Sequence, residues 1–228
     1  MPIVGYSRGG FSPLSLSPTA WWDASDSATI TLSGAYVTAW ADKSGNGYTL
    51  TPPGAPITTF APTYSAAAQN GLNVVSFNGT NQYLNSGTSL FGHDRTCFAV
   101  LRRVSGTGYQ GIAQSISYGL IVNITNSVLR HWAGSSALNN TTAMTSWTQV
   151  TTKLKNSLTR THDTWANGGD HQSSSGFLAE NSENLVVGGI NFGGGTMLIG
   201  EIIWYWSLLS DTERQQVETY LKNKWGTP

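Results

Sequence analysis

One segment, Gly200–Gly226, constrains the fold more than any other, because it sets the chain's clearest helix directly behind an aromatic strand. Glu201–Trp206 is apolar and aromatic with no Gly or Pro, which is a strand pattern. Ser210-Asp211-Thr212-Glu213 is a capping box: the Ser210 hydroxyl accepts from the Glu213 N–H while the Glu213 carboxylate accepts from the Ser210 N–H. Val217, Tyr220, Leu221 and Trp225 then fall on one stripe, predicting a helix over 211–225. Lys222 and Lys224 suit the negative end of its dipole, and Gly226 can close it in a left-handed conformation.

No other segment has a convincing helical period. Short strands are expected at Tyr36–Ala41, Val74–Phe77, Thr96–Val104, Gly119–Ile124, Val128–Trp132, Thr148–Lys153, Thr159–Ala166 and Leu185–Val187. Turn chemistry separates them: Asp42–Gly47, the loop marked by Pro52, Pro53, Pro56 and Pro62, Asn78-Gly79, and the hairpin tip Asn167-Gly168-Gly169. Many short strands without alternating helices imply an all-β, antiparallel jelly-roll sandwich with one C-terminal α-helix. A chain of 228 residues suits one such domain and hides roughly 70% of its unfolded surface, so it needs no staples.

Residues 1–18 differ from the rest. Three Pro, three Gly and four Ser surround isolated apolar side chains with no period, so an extended N-terminal arm is expected there, followed by the sandwich over 19–228. A solvated tail has no use for Ile3, Val4, Tyr6, Phe11, Leu14 and Leu16, which are the expected contacts to a partner or to the arm's own domain.

Twelve basic residues balance twelve acidic ones, and charged residues are only 11% of the chain. Counterion release needs clustered Lys and Arg, so neither a nucleic-acid groove nor a membrane-binding patch is expected. The one basic pair, Arg102-Arg103, reads as one solvated and one snorkelling side chain in a strand. Cys97 stands alone in an apolar run, as a buried inert thiol would. The start lacks a basic and an apolar region, so no secretory leader is expected, and no apolar run reaches ~18 residues, so no membrane span is expected either.

An ordered set of motifs then carries a resemblance. Trp22-Asp23-Ala24-Ser25-Asp26, Trp40–Gly47, Pro62-Thr63-Tyr64, Val75–Gly79, Tyr83-Leu84, Trp147, Asn167-Gly168 and the pieces of Gly200–Gly226 together resemble laminin-G-like or concanavalin-A-like jelly-roll domains of bacteriophage and bacterial surface proteins. The match spans about residues 19–226. It is specific for the fold and not for an activity, because this sandwich hosts lectins, glycosidases, adhesion modules and virion parts.

The candidate chemistry is sparse. Asp42, Ser44 and Asn46 resemble the first half of a calcium loop, but the twelfth position, where a bidentate Glu is required, is Pro53, and a turn held by Asx hydrogen bonds is the better account. Asp23, Asp26 and Glu201 are the acids nearest to a glycosidase reading, which needs two carboxylates ~5–9 Å apart in a cleft. No Glu-x-Asp-x-x-Glu run is present, and Ile203 leaves Glu201 without an acid two residues on. His162 and His171 flank a hairpin tip and could face each other, though exposed hairpin histidines are the expectation. Sugar recognition would fall to one or two exposed aromatics among Trp132, Trp147, Trp165, Trp204 and Trp206, most of which must fill the core.

Taken with the resemblance, the expectation is a non-enzymatic structural protein of a bacteriophage particle. It would be a capsid decoration or cement protein made in the host cytoplasm, whose arm docks on a major capsid protein or on neighbouring copies, with a homotrimer as the expected assembly. The alternative is a carbohydrate-binding module of a phage fibre or secreted protein, with a cell-surface glycan as partner. The second alternative is a glucanase.

Overall fold

The computed structural model describes residues 10–106, 110–114, 118–122, 128–133, 136–156, 161–175, 184–189 and 195–228. Its strands form two antiparallel sheets. The larger runs β14 (Asp170–Ser175), β13 (Thr161–Ala166), β12 (Thr148–Lys155), β7 (Arg95–Arg103), β16 (Met197–Tyr205), β5 (Leu72–Phe77), β4 (Thr63–Gln69), β3 (Tyr36–Trp40) and β2 (Ile30–Ser33), with β1 (Ala20–Asp23) also paired to β16. The smaller runs β11 (Ser136–Ala143), β10 (Val128–Ala133), β9 (Tyr118–Val122), β8 (Gln110–Gln114), β15 (Val186–Gly188) and β6 (Tyr83–Asn85). The sandwich with one C-terminal helix is therefore the architecture expected, and that helix, α2 (Asp211–Trp225), has both hydrogen bonds of the capping box and closes at Gly226 with positive φ. A single-turn helix, α1 (Ile57–Phe60), sits in the proline loop.

Of the strands that the sequence pattern did not mark, β1, β2, β4, β6, β8, β11 and β14, two are strongly polar. β14 reads DHQSSS and β11 reads SALNNTTA, and each lies at the edge of its sheet, where apolar alternation is not demanded. These two edges are tied together. The Asp170 carboxylate accepts from the backbone N–H groups of Thr141 and Thr142 at 2.7 and 2.6 Å, which covers edge groups that would otherwise invite another chain. The hairpin tip is as read: Asn167 and Gly168 take φ of 52° and 71°, the pair of left-handed residues that a two-residue turn needs.

Strand β16 shows how the layers are made. Met197 and Ile199 face the core between the sheets, together with Trp22, Trp40, Phe77, Leu101 and the free thiol of Cys97, which burial pushes up to about 12. A bulge between Ile199 and Glu201 then reverses the alternation. Beyond it Ile202 and Trp204 belong to the inter-sheet core, while Ile203 and Tyr205 face outward onto Val217, Leu221 and Trp225 of α2. The bulge residue has to be glycine, because a Cβ on Gly200 would lie 2.7 Å from the Trp225 ring.

The same bulge turns Glu201 toward the helix. Its fully buried carboxylate accepts from the indole N–H groups of Trp21 and Trp225, both at 2.7 Å, from the Tyr220 hydroxyl at 3.0 Å and from Lys224 Nζ at 2.7 Å. Asp23 sits directly across the ladder from Glu201 and pairs with Lys224 at 2.8 Å and with Lys43 at 2.9 Å. Burial is the largest influence on Asp23 and works upward, but Lys224 and the hydrogen bonds from Lys224, Ser25 and Lys43 outweigh it and hold the group below the ordinary carboxylate range. On Glu201 burial and the Asp23 charge act in the same direction and raise the group, against Lys224 and Trp225.

The described part of the arm is less extended than its composition suggests. Ser12 caps a 3-10 turn over Pro13–Leu16, the Tyr205 hydroxyl donates to the Pro13 carbonyl at 3.2 Å, and Phe11 meets Tyr220 edge-on at 6.4 Å.

Two outcomes follow. Gly200→Ala should lower unfolding free energy by about 1–3 kcal/mol in urea denaturation, since the added methyl must displace the Trp225 ring. Asp23 has a depressed folded pKa, so its stabilisation is present above the ordinary carboxylate pKa and is lost as pH falls through the folded one. Asp23→Asn should therefore lower stability at neutral pH and flatten the loss between neutral pH and acid, measured by thermal unfolding across that range; an unchanged acid limb would contradict the assignment.

Candidate functional site

Alternation along the end of β16 explains why one tryptophan is left at the surface. Trp204 is the last inward residue covered by the core, and Trp206, two residues on, falls past the end of the strand. It is 39% exposed, whereas every other tryptophan whose side chain is described is buried. Its position is fixed by two hydrogen bonds: its backbone N–H donates to Thr19 Oγ1 at 2.8 Å and its indole N–H to the Leu90 carbonyl at 3.0 Å. The His93 ring lies against it at 4.4 Å, and Tyr48 approaches edge-on at 6.2 Å.

The turn at 42–47 builds the facing wall. Asp42 Oδ1 accepts from the N–H groups of Trp21 and Ser44, both at 2.8 Å, and Oδ2 accepts from Ser44 Oγ at 2.7 Å and from the Tyr48 N–H at 3.2 Å. Both oxygens are thus spent on an Asx-type turn, which is the structural use expected for Asp42, Ser44 and Asn46. Ser44 Oγ and Asn46 Nδ2 also reach the Thr19 carbonyl at 3.1 and 3.0 Å, clamping the end of the arm. Between these parts lies a cleft of about 540 Å³. Leu14, Ser17, Pro18 and Thr19 enter it from the arm, Ser44, Asn46 and Tyr48 from the turn, and Trp206 from the end of β16.

A second, wider cleft of about 1140 Å³ runs along α2 past Asp23, Lys43, Gln215, Thr219 and Lys224. Size does not favour it as the site. Its charges are already paired with one another, and its aromatics, Phe11 and Tyr220, are turned against each other.

The remaining sequence candidates resolve as follows. Glu201 does have an acidic partner, contrary to the reading from its own strand: Asp23 on β1 stands opposite it. The pair is buried, with each oxygen taken by at least one donor, so it forms an ion cluster rather than an open acid and base. Asp26 caps the short 3-10 turn at Ser27–Thr29, as a turn-forming role implies. His162 and His171 do not face each other, because His162 pairs with Ser174 and His171 with Trp165. His162 is also buried rather than exposed, since it points inward from β13, while His171 stacks on the Trp165 ring at 4.6 Å and meets Asp163 at 3.0 Å. Arg102 and Arg103 divide as expected into an exposed and a buried side chain. Of the arm residues, Phe11 and Leu16 pack on the cluster beneath α2 and Leu14 is 49% exposed, while Ile3, Val4 and Tyr6 lie outside the described residues. The Trp132 side chain also lies outside them.

Tyr48 was invisible to sequence reasoning because nothing local marks it. Trp206 carried a faint signal, since it continues the inward parity of β16 immediately before the Ser207–Leu209 connection to the helix.

No family model matches the chain, and no curated protein does. Solved structures show the fold. The binding domain of Paraclostridial Mosquitocidal Protein 1 superposes with a TM-score of 0.64 at 14% identity, covering 94% of this chain and 56% of that one. The botulinum neurotoxin serotype D ligand binding domain in complex with N-acetylneuraminic acid gives 0.61 at 14% identity, covering 95% and 56%. Trypanosoma rangeli sialidase in complex with sialic acid gives 0.60 at 11% identity, covering 91% and 33%. The chain spans about half the length of the two toxin domains. At these identities the likeness is one of fold alone: an antiparallel β-sandwich, and not specifically the laminin-G or phage type that the motifs suggest.

Proposed function

We propose that the protein is a non-enzymatic glycan-binding module and that its site is the cleft between Trp206 and Tyr48. The observation that carries this reading is Trp206 itself, an aromatic platform left 39% exposed at the mouth of a cleft and held in place by two hydrogen bonds. Pyranose rings stack on such faces, while amides and hydroxyls bind their hydroxyl groups, and the volume falls within the ~300–1,000 Å³ of small-ligand sites. Asn46, Tyr48 and Ser17 supply those polar groups here. The fold shared with domains solved in complex with sialic acid supports the same reading. It is the second of the sequence expectations, and on these observations it stands ahead of the purely structural role.

Location on a phage particle, a homotrimer and contact with a major capsid protein form a separate proposal, supported by the sequence resemblance. Of the described arm side chains it would draw on Leu14, since Phe11 and Leu16 are spent on the protein's own domain.

Trp206→Ala should weaken binding to a glycan selected on an array by at least tenfold, about 1.4 kcal/mol, with an unchanged circular dichroism spectrum. The reading is lost if the variant binds as tightly as the parent protein or if the parent binds no glycan.

A further inference from the structure

We infer, within the glycan-binding reading, that the cleft takes neutral sugars and rejects sugars carrying a carboxylate. The fold alone suggests the opposite, since two of the structures it resembles were solved with sialic acid. The charges around the cleft argue otherwise.

Among the described residues, no Lys, Arg, His, Asp or Glu side chain lines the cleft. A carboxylate moved from water into such a site loses hydration that only a cation or several aimed donors can replace. The described cations of the neighbouring segments are turned elsewhere. Lys43, within the turn, sends its ammonium to Asp23 and Asp26, both at 2.9 Å, on the side of the Trp21 ring. Arg95 is buried over the Phe91 and Trp204 rings, and it does not line the cleft. His93 packs against Trp206 but is not part of the lining either.

Asp42, in the turn that builds the wall, carries a negative charge. Asp42 holds Ser44 and the Tyr48 backbone, and its four hydrogen-bond donors are two backbone groups of the turn, the Trp21 N–H and a serine hydroxyl, none of them a cation. Its negative charge offers a ligand carboxylate no attraction and disfavours one nearby. Neutral hydroxyls meet better partners. Asn46 spends its Nδ2 on the Pro18 and Thr19 carbonyls, which fixes the amide and leaves Oδ1 to accept from a sugar hydroxyl. Trp206 supplies a face for the ring carbons.

The test uses the full chain on an array of matched pairs, each neutral glycan beside the same glycan capped with sialic acid or a uronate, at neutral pH. Titration calorimetry on the best pair follows, with Trp206→Ala and Leu14→Lys as variants. The expected result is a neutral ligand that depends on Trp206, with its capped counterpart at least tenfold weaker. Leu14→Lys, which adds a cation at the exposed rim without touching the turn, should narrow that gap severalfold. Trp206-dependent binding that favours the capped glycan would overturn the neutral specificity and leave glycan binding intact. Absence of binding to every member of the array would remove the glycan-binding reading, and the specificity with it.

Discussion

The buried carboxylate of Glu201 is the joint on which the structure depends. Taking a charge out of water costs several kcal/mol unless its oxygens are met by donors, and removing one partner of a buried pair costs about 3–5 kcal/mol. Glu201 meets that requirement with one donor from β1, Trp21, and three from α2, Tyr220, Lys224 and Trp225. The first strand, the last strand and the last helix are therefore held at one point. Lys224 extends the joint to Asp23, and Lys43 extends it further to the turn at 42–47. The bulge at Gly200 makes this possible by turning Glu201 out of the inter-sheet core, and a side chain there would collide with Trp225.

The proposed site inherits its rigidity from this joint. With β1 registered against β16, Thr19 lies beside Trp206 and binds its backbone. The same residue's carbonyl accepts from Ser44 and Asn46, so the turn and the strand end are fixed relative to each other through one threonine. Binding surfaces built this way lose little entropy on meeting a ligand, because the platform and its polar neighbours are already ordered. The cleft then differs from the wider groove along α2 in two respects that matter for sugars: its tryptophan is 39% exposed, although His93 lies against the ring, and its described hydrogen-bonding groups are neutral.

Local signals in the sequence were enough for the helix and its capping box, the Asn167-Gly168 hairpin tip, the buried Cys97 and the sandwich class, since each depends on residues a few positions apart. What was not legible depends on distance. Trp21 and Glu201 are 180 residues apart, and the parity of β16 beyond Gly200 cannot be known without the bulge. Glu201 looks isolated along its own strand because its acidic partner, Asp23, lies across the ladder on β1, and Trp206 looks like one more core candidate because it shares the parity of Trp204. His162 was misjudged for a related reason: an inward-facing histidine in a polar strand is indistinguishable from an outward one until its register with Ser174 is known. β11, and β14 beyond its hairpin tip, carry no apolar alternation because edge strands tied by Asp170 do not need it.

The most direct test of the central claim is a two-dimensional NMR titration of the indole N–H resonances with the best neutral glycan from the array. The account predicts that the Trp206 indole signal shifts in proportion to occupancy, while those of Trp21 and Trp225, bound to Glu201 on the far side of the sheet, stay in place. Shifts confined to Trp21 and Trp225, or a bound glycan that leaves Trp206 unmoved, would contradict it.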